Sequence, residues 1–160
     1  MINFDFLKQI HVFKDFTDDQ LALITACASE DEFKRGDCLF MKGKDSTHLW
    51  IILEGHVNLD FEVFGNNISK RDMISFASKT NVFGWTCFVA PYKYRLSGYC
   101  MTSRCDVIKI EKQCLKKIFQ QDPQIGYKIM SHLVWAIGTH YHEFQDEYAR
   151  ITGRNIMDGW

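Results

Sequence analysis

The feature that most constrains the fold of this chain is a series of short β-like runs punctuated by glycine, between Phe33 and Gly98. The clearest runs are residues 36–43, 49–55, 57–59 and 82–84. Glycine reaches positive φ without a Cβ clash, so it serves where a strand has to turn. Runs this short and evenly spaced are typical of a small antiparallel barrel or roll. The sequence therefore predicts a fold that is mainly β.

Helical patterns flank the β region on both sides. Apolar residues three and four apart predict a short helix near residues 4–10, and Thr17-Asp18-Asp19-Gln20 has the form of a capping box that opens a second helix. After a short helix over 112–120, Asp122-Pro123 supplies an N-cap and a first-turn proline for a long helix. We expect residues 1–121 to form helices plus a β-roll, and residues 122–160 a long dimerisation helix with a short tail.

Two apolar series run along the long C-terminal helix with a period of seven residues. They are offset from each other by three and four residues, which is the heptad pattern of a coiled coil. Their members are Met130, Ile137, Phe144 and Ile151, and Tyr127, Val134, Tyr141 and Tyr148. A roll of this size covers about the first half of such a helix, so the pattern favours a homodimer over packing on the chain's own roll.

Bulk properties exclude several classes of function. The net charge of −1 gives no reason to expect nucleic acid as a partner. The sequence contains no apolar run long enough to span a bilayer and no signal-peptide pattern at Met1, which favours the cytoplasm. None of the six cysteines forms a CxxC pair, so we expect buried thiols rather than disulfides or a zinc site.

The order of these elements resembles the cyclic nucleotide-binding domain of the catabolite activator and regulatory-subunit families. The resemblance runs from about Phe6 to Arg154 and includes the Phe83-Gly84 step and Asp122-Pro123. It implies a double-stranded β-helix, a jelly-roll-like β-roll, between N-terminal helices and a long C-terminal helix. It also implies a phosphate-binding cassette after Gly84, in which backbone N–H groups of a short helix meet a cyclic phosphate.

The cassette implied by this resemblance departs from the family pattern. Trp85 stands where the family keeps a carboxylate for the ribose hydroxyl, and an indole cannot accept a hydrogen bond from a hydroxyl. Arg95 falls at the position of the arginine that pairs with the phosphate, and Leu96 replaces a small residue. The candidate ligand-binding residues are Gly84, Trp85, Thr86, Cys87, Arg95, Ser97 and, on the long helix where relatives contact the base, His140.

Two functions remain open at this point. One is a regulatory sensor in which a cyclic nucleotide or other small anion binds the roll and shifts the long helix. The other is a ligand-free dimeric interaction module on the same fold. We expect no catalytic or metal-binding residues and no resident cofactor, because no nucleophile with a base and no nucleotide triphosphate loop can be assembled. Six residues follow the hinge-like segment 151–154, so we also expect no operator binding.

Overall fold

A computed structural model describes residues 2–60 and 82–152 of the chain. Within these residues, seven strands form two antiparallel sheets, and helices precede and follow them. The elements are α1 Phe4–Gln9, α2 Asp18–Thr25, β1 Ala28–Lys34, β2 Cys38–Phe40, β3 His48–Glu54, β4 Val57–Asp60, β5 Val82–Phe83, the 3-10 helix η1 Trp85–Phe88, β6 Ser97–Cys100, β7 Arg104–Glu111, α3 Lys112–Gln121 and α4 Pro123–Thr152. The predicted fold, mainly β with N-terminal helices and a long C-terminal helix, is confirmed.

The strand order brings distant parts of the chain together. One sheet has the order β1-β7-β3-β5 and the other the order β2-β6-β4, so β7 lies between β1 and β3. The register pairs Trp50 with Phe83, which places the end of β5 against the middle of β3. The sequence also predicts a strand at 72–76, which lies outside the described residues. The register matters for function because Gly84 and η1 begin directly after this pairing.

The helix signals read from the sequence appear where they were expected. Thr17 and Gln20 form a reciprocal capping box, in which each side chain accepts a hydrogen bond from the other residue's backbone N–H. Asp122 accepts a hydrogen bond from the backbone N–H of Gln124 at 3.0 Å, just ahead of the helix that Pro123 begins. Both patterns satisfy backbone donors that a helix start leaves without intrahelical partners.

Two apolar clusters fill the interior. The larger joins the N-terminal helices, the inner face of β3 and β7, and α3 to the first part of α4 through Ile125, Ile129 and Leu133. The smaller lies between the two sheets around Trp50 and Ile52. Within the described residues, no helix is both long and apolar enough to cross a membrane.

The start of α4 is fixed to the turn that links α1 and α2. The Lys128 ammonium group donates to the Asp15 carbonyl at 2.8 Å, and the Trp135 ring stacks on His11 with centroids 3.8 Å apart. His132 Nε2 lies 3.7 Å from Asp15 Oδ2, and burial is the main cause that lowers the pKa of His132. These contacts hold α4 against the body of the domain up to about Trp135.

The expectation that all cysteines are thiols is wrong. A disulfide joins Cys27, just after α2, to Cys114 in the first turn of α3, and the sulfur atoms of Cys100 and Cys105 form a second pair. Cys27 and Cys114 are 87 residues apart in sequence but have Cα atoms 5.5 Å apart, within the range a disulfide spans. The fold brings these two cysteines together, and their spacing in the sequence does not predict the contact.

Candidate ligand-binding site

Gly84 sets the position of the cassette against the sheet. Its φ of +81° lies in the left-handed region that glycine adopts easily, and it caps η1. A Cβ at this position would lie 2.6 Å from Trp50 Cδ1 and 2.8 Å from the His48 carbonyl oxygen. Both distances are too short for real contacts, so the cassette can approach β3 this closely because residue 84 has no side chain.

An aromatic cluster fills the interior of the roll beneath the cassette. The indole N–H of buried Trp50 donates to the Tyr94 hydroxyl at 3.1 Å. Phe40 stacks on Tyr94 with ring centroids 4.4 Å apart, and Phe83 stacks on Trp50 at 6.0 Å. Gly98 makes room for this arrangement, since a Cβ there would lie 2.7 Å from the Phe40 ring. The hydrogen bond satisfies the one polar atom of the indole, which allows this large side chain to be buried.

The space left between this cluster and the cassette is small. A cavity of about 90 Å³ opens here, bounded by aromatic and aliphatic side chains with one guanidinium. It is lined by Phe40, Leu59, Phe83, Gly84, Trp85, Thr86, Tyr94, Arg95 and Leu96. Pockets that enclose drug-sized ligands have volumes of roughly 300 Å³ or more. The cavity therefore does not enclose a whole nucleotide in this conformation.

The cassette residues are held mainly by contacts within the protein. Trp85 is half-buried, packs against the larger apolar cluster and also lines the cavity. The Thr86 hydroxyl is hydrogen-bonded to the hydroxyl of buried Ser46 at 2.9 Å. Cys87 is fully buried, and burial raises the pKa of its thiol to about 12. Cys87 is thus a protonated packing residue at neutral pH, whereas Trp85 and Thr86 border the space where a ligand would lie.

The three remaining predicted site residues, Arg95, Ser97 and His140, lie in different surroundings. Arg95 is exposed at the rim of the cavity, and no ion pair joins it to a carboxylate in the described part of the chain. Ser97 is buried, and its hydroxyl accepts a hydrogen bond from the backbone N–H of Lys42 at 3.0 Å. His140 lies on α4, where its Nδ1 is 3.3 Å from Glu143 Oε2, and it is not among the residues that line the cavity.

Sequence reasoning missed the residues that close the site. Trp50 was assigned to a strand, but nothing in the sequence pairs it with Tyr94, which is 44 residues away. A general signal did exist, because a tryptophan in a buried strand needs an acceptor for its indole N–H. That rule predicts an acceptor without identifying the residue that supplies it.

A roll with a glycine-capped 3-10 turn over its open end defines a class of ligand-binding domain. A family model for the cyclic nucleotide-binding domain matches residues 30–122, more than half of the chain. The chain belongs to the cyclic nucleotide-binding domain family.

Solved structures share this fold at low sequence identity. A putative cyclic nucleotide-binding protein from Geobacter metallireducens is 22% identical with a TM-score of 0.74, and the match covers 87% of this chain and 98% of that one. A cyclic nucleotide-binding domain from Methylobacillus flagellatus is 17% identical with a TM-score of 0.72, and the match covers 96% and 83%. The catabolite activator protein of Thermus thermophilus is 12% identical with a TM-score of 0.66, over 84% and 62%. No curated protein matches the chain.

Proposed function

We propose that this chain is a regulatory module that pairs with a second copy of itself through α4 and that functions without tight binding of an ordinary cyclic nucleotide. The observation that carries the proposal is the division of α4 into two apolar stripes. One stripe is buried in the domain, and the other is exposed along the helix.

The buried stripe fixes the helix to the domain and then ends. Ile125, Ile129 and Leu133 follow one another at intervals of four residues and are buried. Beyond Leu133 the described side chains are exposed or half-buried. At 1.5 Å per residue, the part of α4 from Leu133 to Thr152 extends about 28 Å. Most of the stability of a helix in a protein comes from packing of its apolar face, so this part of α4 favours an apolar partner.

The exposed stripe has the register that a second copy would match. Tyr127, Val134, Tyr141 and Tyr148 are more than half exposed, as is Phe144 from the offset series. At about 100° per residue, the stripe lies roughly 100° around the helix from the buried one. In the second half of α4 the stripe has 3-4 spacing at Tyr141, Phe144 and Tyr148, and knobs-into-holes packing requires this spacing from both helices of a pair. An identical helix meets the requirement without a further partner.

The closed site supports the second half of the proposal. The cavity beside Trp85 is small, and the Trp50–Tyr94 hydrogen bond holds the aromatic cluster in place. To admit a nucleotide, the protein would have to separate these packed rings. That step costs free energy that the ligand would have to supply.

Light scattering coupled to size-exclusion chromatography tests the pairing. We expect twice the chain mass for the native protein and the mass of one chain for Ile137→Glu/Phe144→Glu, because Ile137 and Phe144 belong to the same heptad series and both changes place charge in the proposed helix–helix seam. Thr139→Glu/His142→Glu adds the same number of carboxylates on the opposite side of the helix and should remain dimeric. A monomeric native protein at high concentration, or a dimeric Ile137→Glu/Phe144→Glu variant, would contradict the proposal.

A specific observation also favours a second function, the sensing of a small phosphate-bearing anion. Arg95 is exposed at the rim of the cavity beside Gly84 and Thr86, and its guanidinium fork suits two phosphate oxygens. Such a ligand would bind at the edge of the site without entering the aromatic cluster, and its signal would pass to α4. Calorimetric titration with cyclic AMP and cyclic GMP distinguishes this sensor from the ligand-free module.

A further inference from the structure

Beside the cassette, two ammonium groups share one tyrosine ring. The Nζ atom of Lys112 lies 4.6 Å from the centre of the Tyr92 ring, and that of Lys116 lies 5.7 Å from it. The two lysines are one turn apart on α3, so they occupy the same face of that helix. A ring face attracts a cation, which partly offsets the repulsion between two charges held this close.

Lys112 is buried and Lys116 is exposed, and two more exposed lysines extend the positive charge across the neighbouring loops. Lys93 pairs with Asp45 at 2.9 Å, and this hydrogen bond is the main cause that lowers the pKa of Asp45. Lys44 precedes Asp45 in the chain, and the backbone N–H of Lys112 donates to the Thr47 carbonyl of the same loop at 2.9 Å, so both residues lie beside this carboxylate and also lower its pKa. We call Lys44, Lys93, Lys112 and Lys116 the lysine patch. In the part of the chain that the structure describes, Asp45 is the one carboxylate that an ion pair joins to the patch.

The centre of the patch is apolar and exposed. Val89 is 48% exposed and Tyr92 is 44% exposed. Tyr92 has a φ of +60°, a conformation that is costly for a bulky residue. Its carbonyl accepts a hydrogen bond from the backbone N–H of Ser46 at 2.7 Å, and its own N–H donates to Val89 at 2.8 Å. These bonds hold the ring out from the loop between the lysines.

We propose that the lysine patch and the ring of Tyr92 bind an acidic segment of a protein partner, with an apolar side chain of that segment on Tyr92 and Val89. The patch has an excess of positive charge, although the whole chain has a formal net charge of −1. Positive charge that is confined to one patch can attract a short acidic segment, whereas a nucleic acid requires a domain that is basic as a whole. Two exposed apolar side chains are too few to anchor the domain in a membrane.

The position of the patch gives the contact a function. Lys112 and Lys116 are close enough to buried Cys87 of η1 to affect the pKa of its thiol. The loop that carries Tyr92 follows η1 directly along the chain. A partner bound here would contact the cassette from outside, on a surface separate from the exposed stripe of α4.

Fluorescence anisotropy with a fluorescein-labelled, glutamate-rich peptide containing one leucine tests the proposal on the full chain. We expect saturable binding that weakens with added salt. Lys44→Gln/Lys116→Gln should weaken it about tenfold, since each removed charge contact contributes up to about 1 kcal/mol, and 1.4 kcal/mol is tenfold. Both residues are exposed, so the variant should fold normally. Lys14→Gln/Lys34→Gln makes the same charge change at two exposed lysines outside the patch and should bind within about twofold of the native protein.

Several results would overturn the proposal. Equal weakening of peptide binding by the two double variants would show that binding depends only on the net charge of the chain. Absence of saturable peptide binding would exclude an acidic segment as the ligand. If inorganic phosphate at the same total charge displaces the peptide, the site binds a small anion. If the protein sediments with phosphatidylserine vesicles only when the lysine patch is intact, and does not bind the peptide, the patch binds a membrane surface.

Discussion

The disulfide between Cys27 and Cys114 should contribute several kilocalories per mole to stability. The bond connects the end of α2 to the start of α3, and 87 residues of sequence separate its two cysteines. The perturbation is the double substitution Cys27→Ser/Cys114→Ser, which removes the link and leaves neither of its two cysteines behind as an unpaired thiol. The matched control is Cys38→Ser, because Cys38 is exposed and lies outside both cysteine pairs.

The magnitude follows from the length of chain that the bond closes. In the chain-entropy model, a closed loop of this length lowers the entropy of the unfolded state by about 15 cal/mol/K, or about 4.6 kcal/mol at 25 °C. A loss of that size should lower the thermal midpoint by roughly 10–15 °C for a chain of this length. Cys38→Ser should change stability by no more than about 0.5 kcal/mol, as is usual for a surface substitution.

Urea denaturation followed by circular dichroism, without reducing agent, measures this difference. Peptide mapping after alkylation of the unreduced protein checks the bond itself, since Cys27 and Cys114 should be recovered as one linked pair. A loss below about 1 kcal/mol in the double variant would refute the entropic reasoning, because the model requires several times more for so long a loop. Alkylation of both cysteines without prior reduction would refute the link.

Three further predictions concern the site and its surroundings. Cyclic AMP should bind weakly, because loss of the charged ribose hydrogen bonds at Trp85 costs about 1.5–3 kcal/mol, and a submicromolar dissociation constant in calorimetry would contradict this. Arg95→Ala should weaken any phosphate-bearing ligand while leaving the thermal midpoint of the free protein nearly unchanged, whereas equal affinity would show an ordinary surface arginine. Burial is the main cause that lowers the pKa of His132 from its ordinary value of 6.5, and the nearby His11 lowers it further. Lys14 and Lys128 also lower this pKa, whereas Asp15 raises it. Because the net shift is downward, the folded state binds fewer protons than the unfolded state. Stability should therefore be fully present above about pH 6.5 and fall as the pH drops below it, and thermal melts of His132→Gln should show a weaker fall than those of the native protein.

Local signals in the sequence predicted the elements of the fold well. The capping box at Thr17 and the Asp122-Pro123 step each depend on a few neighbouring residues, and both appear as predicted. Gly84 was predicted as a turn, and the structure adds a reason that the sequence could not give, the close approach to Trp50. Local rules succeed where the backbone conformation is decided by residues close in sequence.

The interior of the candidate site could not be predicted in the same way. The family resemblance marked Arg95 as the candidate phosphate partner, but the hydrogen bond from Trp50 to Tyr94 and the stacking of Phe40 depend on how distant strands pair. The link from Cys27 to Cys114 has the same origin. The buried stripe of α4 escaped notice because the heptad series beside it gives a stronger periodic signal.

If α4 pairs as proposed, its two stripes separate the requirements of folding from those of partner choice. Substitutions among Tyr141, Phe144 and Tyr148 can alter which helix fits against this one, while Ile125, Ile129 and Leu133 continue to hold it to the domain. After a gene duplication, two descendants could therefore diverge into a mixed pair, or one could become solitary, with every intermediate sequence still folded. In the proposed dimer, a helix divided in this way would allow the partner to change while the fold of the domain stays the same.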